Sequence, residues 1–212
     1  MRRLTAREIR DQRRCAVDPE TLIAAAEIVE AVRVEGEIAV RRFGDRFGEI
    51  SDDGRLVIGR PELDSALELL PRADRDVLER TASRIEVFAR AQRDSLSEVN
   101  LHIAGGRAGQ RIAPVGRAGC YAPGGRYPLP SSVLMTAITA RVAGVESVVV
   151  ASPRPAMATL AAAAIAGADA VLAVGGAHAI AALAYGLEDF EPCEVVVGPG
   201  NRWVTAAKQL VS

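Results

Sequence analysis

Four turns in the last hundred residues offer backbone chemistry suited to an anion. They read Tyr121-Ala122-Pro123-Gly124-Gly125, Ala151-Ser152-Pro153, Val174-Gly175-Gly176 and Val197-Gly198-Pro199-Gly200-Asn201, each between a short apolar stretch and an Ala-rich one. Such a turn frees N–H groups at a helix N-terminus, where unsatisfied donors and the helix dipole favour phosphate. Glycine, lacking Cβ, would let a ligand approach closely, so a nucleotide is the natural candidate. The bland alternative is that glycine and proline here only turn the chain. Neither GxGxxG nor GxxxxGK[ST] follows any of the apolar stretches, so glycine alone does not decide between the two.

Few other side chains could do chemistry. The histidines are His102 and His178, far apart and without HxxxH or HxxE spacing for a metal. His178 falls in the first turn of the helix after Gly175-Gly176, where a site role and a structural role stand level. Asn201 can cap the last helix or meet a ligand as well, and Ser131 or Ser132 can cap the helix after Tyr121. Pro128-Leu129-Pro130 would hold the Tyr121 turn in a rigid loop. No Ser/His/Asp or Cys/His constellation assembles from this sequence.

The elements that must position these residues form four strand-turn-helix units after Pro114. Apolar runs at 118–121, 147–151, 170–174 and 194–197 precede Ala-rich helices at 131–143, 156–166, 177–185 and 202–210. Strands apolar on both faces belong to a parallel sheet covered by helices, and ligands then bind at the carboxyl ends. The expected class is α/β, a doubly wound Rossmann-like parallel sheet over 114–212. An N-terminal arm over 1–19 and an incomplete, helix-rich first α/β domain over 20–113 precede it. In that first domain helical spacing runs from Pro19 to about Phe47 with Gly36 as interruption, a strand at 55–59 precedes Pro61 at a helix start, and a long helix covers 72–97. The long helix sets Val77, Leu78, Ala82, Ile85, Val87, Phe88 and Ala91 against a solvated arginine face. A Gly105-Gly106 turn then marks a hairpin between Val99 and Ala113.

Composition narrows the partners. With 212 residues, 49% hydrophobic, 25% charged and a formal net charge of −1, the chain can bury a core but has no electrostatic footprint for nucleic acid or a membrane. The alanine-rich stretch 156–168 is too short to span a bilayer, which takes roughly 18–20 apolar residues. Three dispersed cysteines, Cys15, Cys120 and Cys193, give neither a disulfide framework nor a zinc knuckle and point to a reducing cytoplasm.

The segments Gly109-Gln110-Arg111, 114–125, Pro128-Leu129-Pro130-Ser131-Ser132-Val133-Leu134-Met135, 174–186 and Val197-Gly198-Pro199-Gly200-Asn201 together resemble the N-terminal half of histidinol dehydrogenases. The resemblance runs strongly from Gly109 onward and more loosely before it. It implies a zinc-dependent, NAD-linked enzyme that oxidises L-histidinol through an aldehyde to L-histidine, as a homodimer in the cytoplasm. Carried over by position, Tyr121, His178 and Asn201 match NAD contacts. His178 departs from the family's usual glutamine, and imidazole cannot offer the amide's paired donor and acceptor.

The family's zinc ligands, its Glu-His proton-transfer pair and most substrate contacts lie beyond the point matching Ser212. The resemblance therefore implies a truncated or fragmentary member with no catalytic or metal-ligating residue of its own. Such a chain supplies the NAD-binding portion, turns nothing over alone, and pairs as a homodimer or with a missing C-terminal half. Two other readings stay open: the same fold acting on another alcohol, and a non-catalytic nucleotide-binding or interaction module.

Overall fold

The computed structural model describes residues 17–50, 54–124 and 127–212. Most of the expected N-terminal arm, with Cys15, and Gly125 of the first turn lie outside the described residues.

Helix α1 (Pro19–Glu35) starts where the Asp18 side chain accepts Thr21 N–H at 2.8 Å, with Pro19 at the first helical position. That N–H contact holds the Asp18 carboxyl below its ordinary pKa. Gly36, at φ 59°, separates α1 from α2 (Glu37–Arg46), the break expected from the sequence. Strand β1 (Val57–Gly59), α3 (Arg60–Leu69), α4 (Arg72–Asp94) and the hairpin β2 (Val99–Ile103) and β3 (Gly106–Gln110) follow. Then come β4 (Arg117–Tyr121), α5 (Pro130–Ala143), β5 (Ser147–Ala151), α6 (Met157–Ile165), β6 (Ala170–Leu172), α7 (Gly176–Tyr185), β7 (Val195–Val197) and α8 (Arg202–Leu210).

The main sheet runs in the order β1-β6-β5-β4-β7. Strand β4 pairs parallel with β5, Cys120 opposite Val150, and with β7, Gly119 opposite Val196. Strand β6 continues the parallel set, and β1 closes the edge antiparallel, Val57 opposite Leu172. This is the expected doubly wound α/β sheet. From β4 the chain steps outward to β5 and β6, then returns to place β7 on the other flank of β4.

Side-chain alternation divides the core into two layers. Ala118, Cys120, Val148, Val150 and Val171 face the layer of α3 to α6, with Leu63, Leu78, Leu134 and Ile138. Tyr121, Val149, Ala151 and Leu172 face the opposite layer of α1, α2, α7 and α8, with Val29, Val40, Ile180, Leu183 and Val204. A strand with period two buries one set on each face, which is why these strands read apolar throughout.

Three local expectations change. Among the described residues of 20–113, β1 hydrogen-bonds to β6 and the helices cover both faces of the 114–212 sheet. The physical reason is that the stripe Ala25, Val29, Val32, Val40 and Phe43 finds its apolar partner on α7 and α8. On α4 the buried residues are Leu78, Ala82 and Ala89, while Val77, Val87 and Phe88 are exposed. At 100° per residue those three diverge from the Leu78 stripe, so they cannot share its face. Helix α5 starts at Pro130 without a side-chain cap, so neither Ser131 nor Ser132 serves as one. The hairpin forms as expected, with every residue of both strands exposed. Among the described residues no helix is long and apolar enough to cross a membrane.

Candidate functional site

The strand order of the main sheet reverses at β4. In an open α/β sheet the crevice outside the carboxyl ends lies between the two strands from which the crossovers diverge, here β4 and β7. Tyr121 ends β4, and the Gly198-to-Asn201 turn follows β7. Two of the three residues expected to meet a nucleotide, Tyr121 and Asn201, therefore flank the switch point. His178 enters from the turn after β6, two strands away.

Tyr121 is almost wholly buried, and its hydroxyl accepts Gly176 N–H at 3.2 Å. Burial raises its pKa, with the Glu49 carboxylate adding to the rise. Asn201 is exposed and caps α8, its Oδ1 accepting Trp203 N–H at 3.0 Å and Val204 N–H at 3.2 Å. The capping role weighed for Asn201 is thus occupied. Asn201→Ala is expected to cost about 1 kcal/mol of stability, the usual worth of such a cap. A urea melt reading less than about 0.3 kcal/mol would contradict the cap.

His178 is only 1% exposed. Its Nε2 lies 3.0 Å from Glu49 Oε2, and its ring packs against Phe43 and Phe47 with centroids 6.1 and 5.7 Å away. The same Glu49 oxygen accepts Gly175 N–H at 2.9 Å. Glu49 escaped the sequence reading because it sits 129 residues from His178, in a polar loop with no motif. Its only signal was a carboxylate shortly after a helix end.

The turns are packed at Gly124, Gly175 and Gly198. A Cβ on Gly124 or Gly175 would meet Pro153, and one on Gly198 would overlap the Tyr121 backbone. At these three positions the glycine lets neighbouring loops close on one another, whereas at Gly176 a Cβ would meet only His178 at 3.7 Å. Lys208 reinforces the last turn by donating to the Gly198 carbonyl at 2.7 Å, and burial lowers its pKa. Arg154 is exposed on the β5–α6 turn with φ 45°. A non-glycine residue in that region is strained, and strain of this kind gathers at functional sites.

Two grooves lie elsewhere. One of about 470 Å³ runs between α4, α5 and α6, but its arginines are engaged: Arg90 with Glu86, Arg93 with the Val142 carbonyl, and Arg141 with Gly167 O and Asp169. The other, about 520 Å³, lies at the amino ends of the strands and is lined by Glu146, Asp169, Asp189 and Glu191, with Arg117 paired to Glu191. Four carboxylates against one arginine leave a net acidic lining, which disfavours phosphate.

Beneath the edge, burial pushes the Cys120 thiol up to about 11 and Cys193 up to about 12. Both thiols are therefore expected to resist iodoacetamide at pH 8 until the chain unfolds. The sign for stability follows: unfolded thiols ionise near their ordinary 9.0 while the folded ones do not, so this contribution is full below pH 9 and lost as pH rises through 11. Rapid alkylation of native Cys120 or Cys193 contradicts that burial.

The family model described as histidinol dehydrogenase matches residues 12–212. The chain is 42% identical over 212 aligned residues to the histidinol dehydrogenase of Methanothermobacter thermautotrophicus, an alignment covering 96% of this chain and 48% of that protein. It is 47% identical over 186 residues to that of Natronomonas pharaonis, covering 86% and 43%. The crystal structure of histidinol dehydrogenase from Elizabethkingia anophelis superposes with a TM-score of 0.83 at 26% identity, over 98% of this chain and 49% of that one. The chain thus spans about half the length of the relatives it matches.

Proposed function

Because this chain belongs to the histidinol dehydrogenase family, we propose that its β4/β7 carboxyl edge binds NAD within an enzyme that oxidises L-histidinol to L-histidine. The observation that carries this reading is the reversal of strand order at β4, with Tyr121 and Asn201 on its two sides. Bound there, NAD would supply the hydride acceptor.

This chain's own residues bind and orient. The Tyr121 hydroxyl holds the α7 turn through Gly176 N–H, so the floor of the site is fixed before a ligand arrives. Asn201 spends its carbonyl oxygen on the α8 cap, which leaves its side-chain NH₂ to donate to a ribose or phosphate oxygen. Arg154 brings a positive charge to the same edge for a pyrophosphate. His178 lies beneath the α7 turn and is tied to it through Glu49.

Zinc stands differently. No group of three His, Cys, Asp and Glu among the described residues is placed to hold a metal ion, so none of them is assigned to it. A cytoplasmic homodimer belongs to the same proposal and is supported by family membership.

The test separates the cap from the ligand contact at Asn201. Asn201→Ser keeps a capping oxygen and loses the amide, so the fold should persist while NAD affinity falls about tenfold, or about 1.4 kcal/mol. Calorimetric titration showing unchanged affinity would remove Asn201 from the site.

A further inference from the structure

The α7 turn already holds an anion, and that anion belongs to the chain. Glu49 Oε2 accepts Gly175 N–H at 2.9 Å and lies 3.0 Å from His178 Nε2. The next donor, Gly176 N–H, goes to the Tyr121 hydroxyl. Two of the N–H groups that would make this helix start a phosphate site are therefore engaged internally.

The contact also decides the histidine's tautomer. A carboxylate only accepts, so Nε2 carries the hydrogen toward Glu49, and in the neutral ring Nδ1 is left as a bare acceptor. Nδ1 is buried and has no hydrogen-bond partner among the described residues. Beside it stands Gly176 at φ 64°, where a methyl would meet only His178 Cε1 and Nδ1, each 3.7 Å away. In that neutral ring the one unused polar atom of the turn asks for a donor, and the oxygens of a dinucleotide's pyrophosphate carry no hydrogen to give at neutral pH.

Resting on the NAD reading above, we propose that Glu49 is the resident anion of the α7 turn. It bars phosphate from that turn and fixes His178 so that Nδ1 receives an N–H or O–H from the uncharged part of the nucleotide, an amide or a hydroxyl. A phosphate oxygen placed on Gly175 N–H would face the Glu49 carboxylate at hydrogen-bond range, where like charges repel most. The pyrophosphate is left to the β5–α6 turn and Arg154. A glutamine at 178 would present both an acceptor and a donor; the histidine, held by Glu49, presents only the acceptor.

The chain has only two histidines, so nitrogen-15 labelling resolves both rings. The full chain is titrated with inorganic phosphate while the Gly175 and Gly176 amide signals and the His178 ring nitrogens are followed. In the wild type, His178 is expected as the Nε2–H tautomer and both amides stay still. Glu49→Ala empties the turn, so phosphate moves both amides saturably, and NAD affinity falls several-fold as His178 loses its orientation. If that variant does not fold, Glu49→Gln removes the charge and keeps an acceptor, and phosphate is expected to move the same amides there. Phosphate-dependent shifts in the wild type, an Nδ1–H tautomer, or still amides in whichever variant folds would each overturn the assignment. Failure of NAD to bind the wild type strikes the nucleotide reading instead, while the phosphate and tautomer results still decide the role of Glu49.

Discussion

Gly198→Ala is expected to destabilise the chain by about 3 kcal/mol or more and to abolish nucleotide binding at the carboxyl edge. Two independent costs add at this position. Gly198 sits at φ 117°, a conformation that side-chain-bearing residues rarely adopt. The added methyl would also overlap the Tyr121 backbone, including its carbonyl oxygen. Neither side can move freely: Tyr121 ends a strand paired opposite Ala151, and Lys208 clamps the Gly198 carbonyl at 2.7 Å. Relief would push β7 from β4 at the point where the strand order reverses, opening the floor between Tyr121 and Asn201. Gly106→Ala is the matched control, because a methyl there meets nothing within 4 Å and the residue is exposed. Urea unfolding should shift strongly for the first variant and hardly for the second; similar midpoints would mean that the β4/β7 contact is not as close as described.

The second large effect is expected from Leu183→Ala, at about 3–5 kcal/mol. Leu183 is fully buried on α7 and lies against β4 so closely that a methyl on Gly119 would sit 3.0 Å from its Cδ1. Its carbonyl accepts Cys193 N–H at 2.8 Å, which ties the loop before β7 to the helix. The sheet lies on one side and Ala-rich helices on the other, so few neighbours can collapse into the hole. Since the same helix begins at the Gly176 turn and carries His178, the loss should reach the site as weaker NAD binding as well as a lower melting point. Leu101→Ala, on the exposed hairpin at 58% exposure, should change stability by no more than about 0.5 kcal/mol. A Leu183→Ala cost below about 1 kcal/mol would contradict the packing described for α7.

The architecture was legible because its signals are local and repeated. Each strand-turn-helix unit carries its own apolar run and breaker, so β4 to β7 and α5 to α8 fall close to their expected places. Gly36 and Pro61 mark their helix ends by backbone chemistry alone. What stayed hidden depends on partners distant in sequence. Nothing near Val57 says that it pairs with Leu172 on the far side of the chain, so β1 read as part of a separate domain. Val77, Val87 and Phe88 read as core by residue type, yet the helix turns them to solvent.

The site shows the same division. Tyr121 and Asn201 entered as candidates through the family resemblance, and the sheet order places them on either side of the β4/β7 switch point. The burial of His178 was not legible in the sequence, since the residues that cover and bind it, Phe43, Phe47 and Glu49, come from more than 120 positions away. The glycine turns misled in one respect. A small residue admits either a ligand or a neighbouring loop, and at Gly124 and Gly175 the neighbour is Pro153.

The central claim is that NAD binds at the carboxyl edge where the strand order reverses. Titrating the labelled full chain with NAD and mapping the perturbed amides tests it most directly. The account predicts saturable shifts concentrated at Tyr121 to Gly124, Ser152 to Arg154, Gly175 to His178 and Gly198 to Arg202. No shift at those residues, or shifts gathered instead along the α4–α5–α6 groove or at the amino ends of the strands, would contradict it.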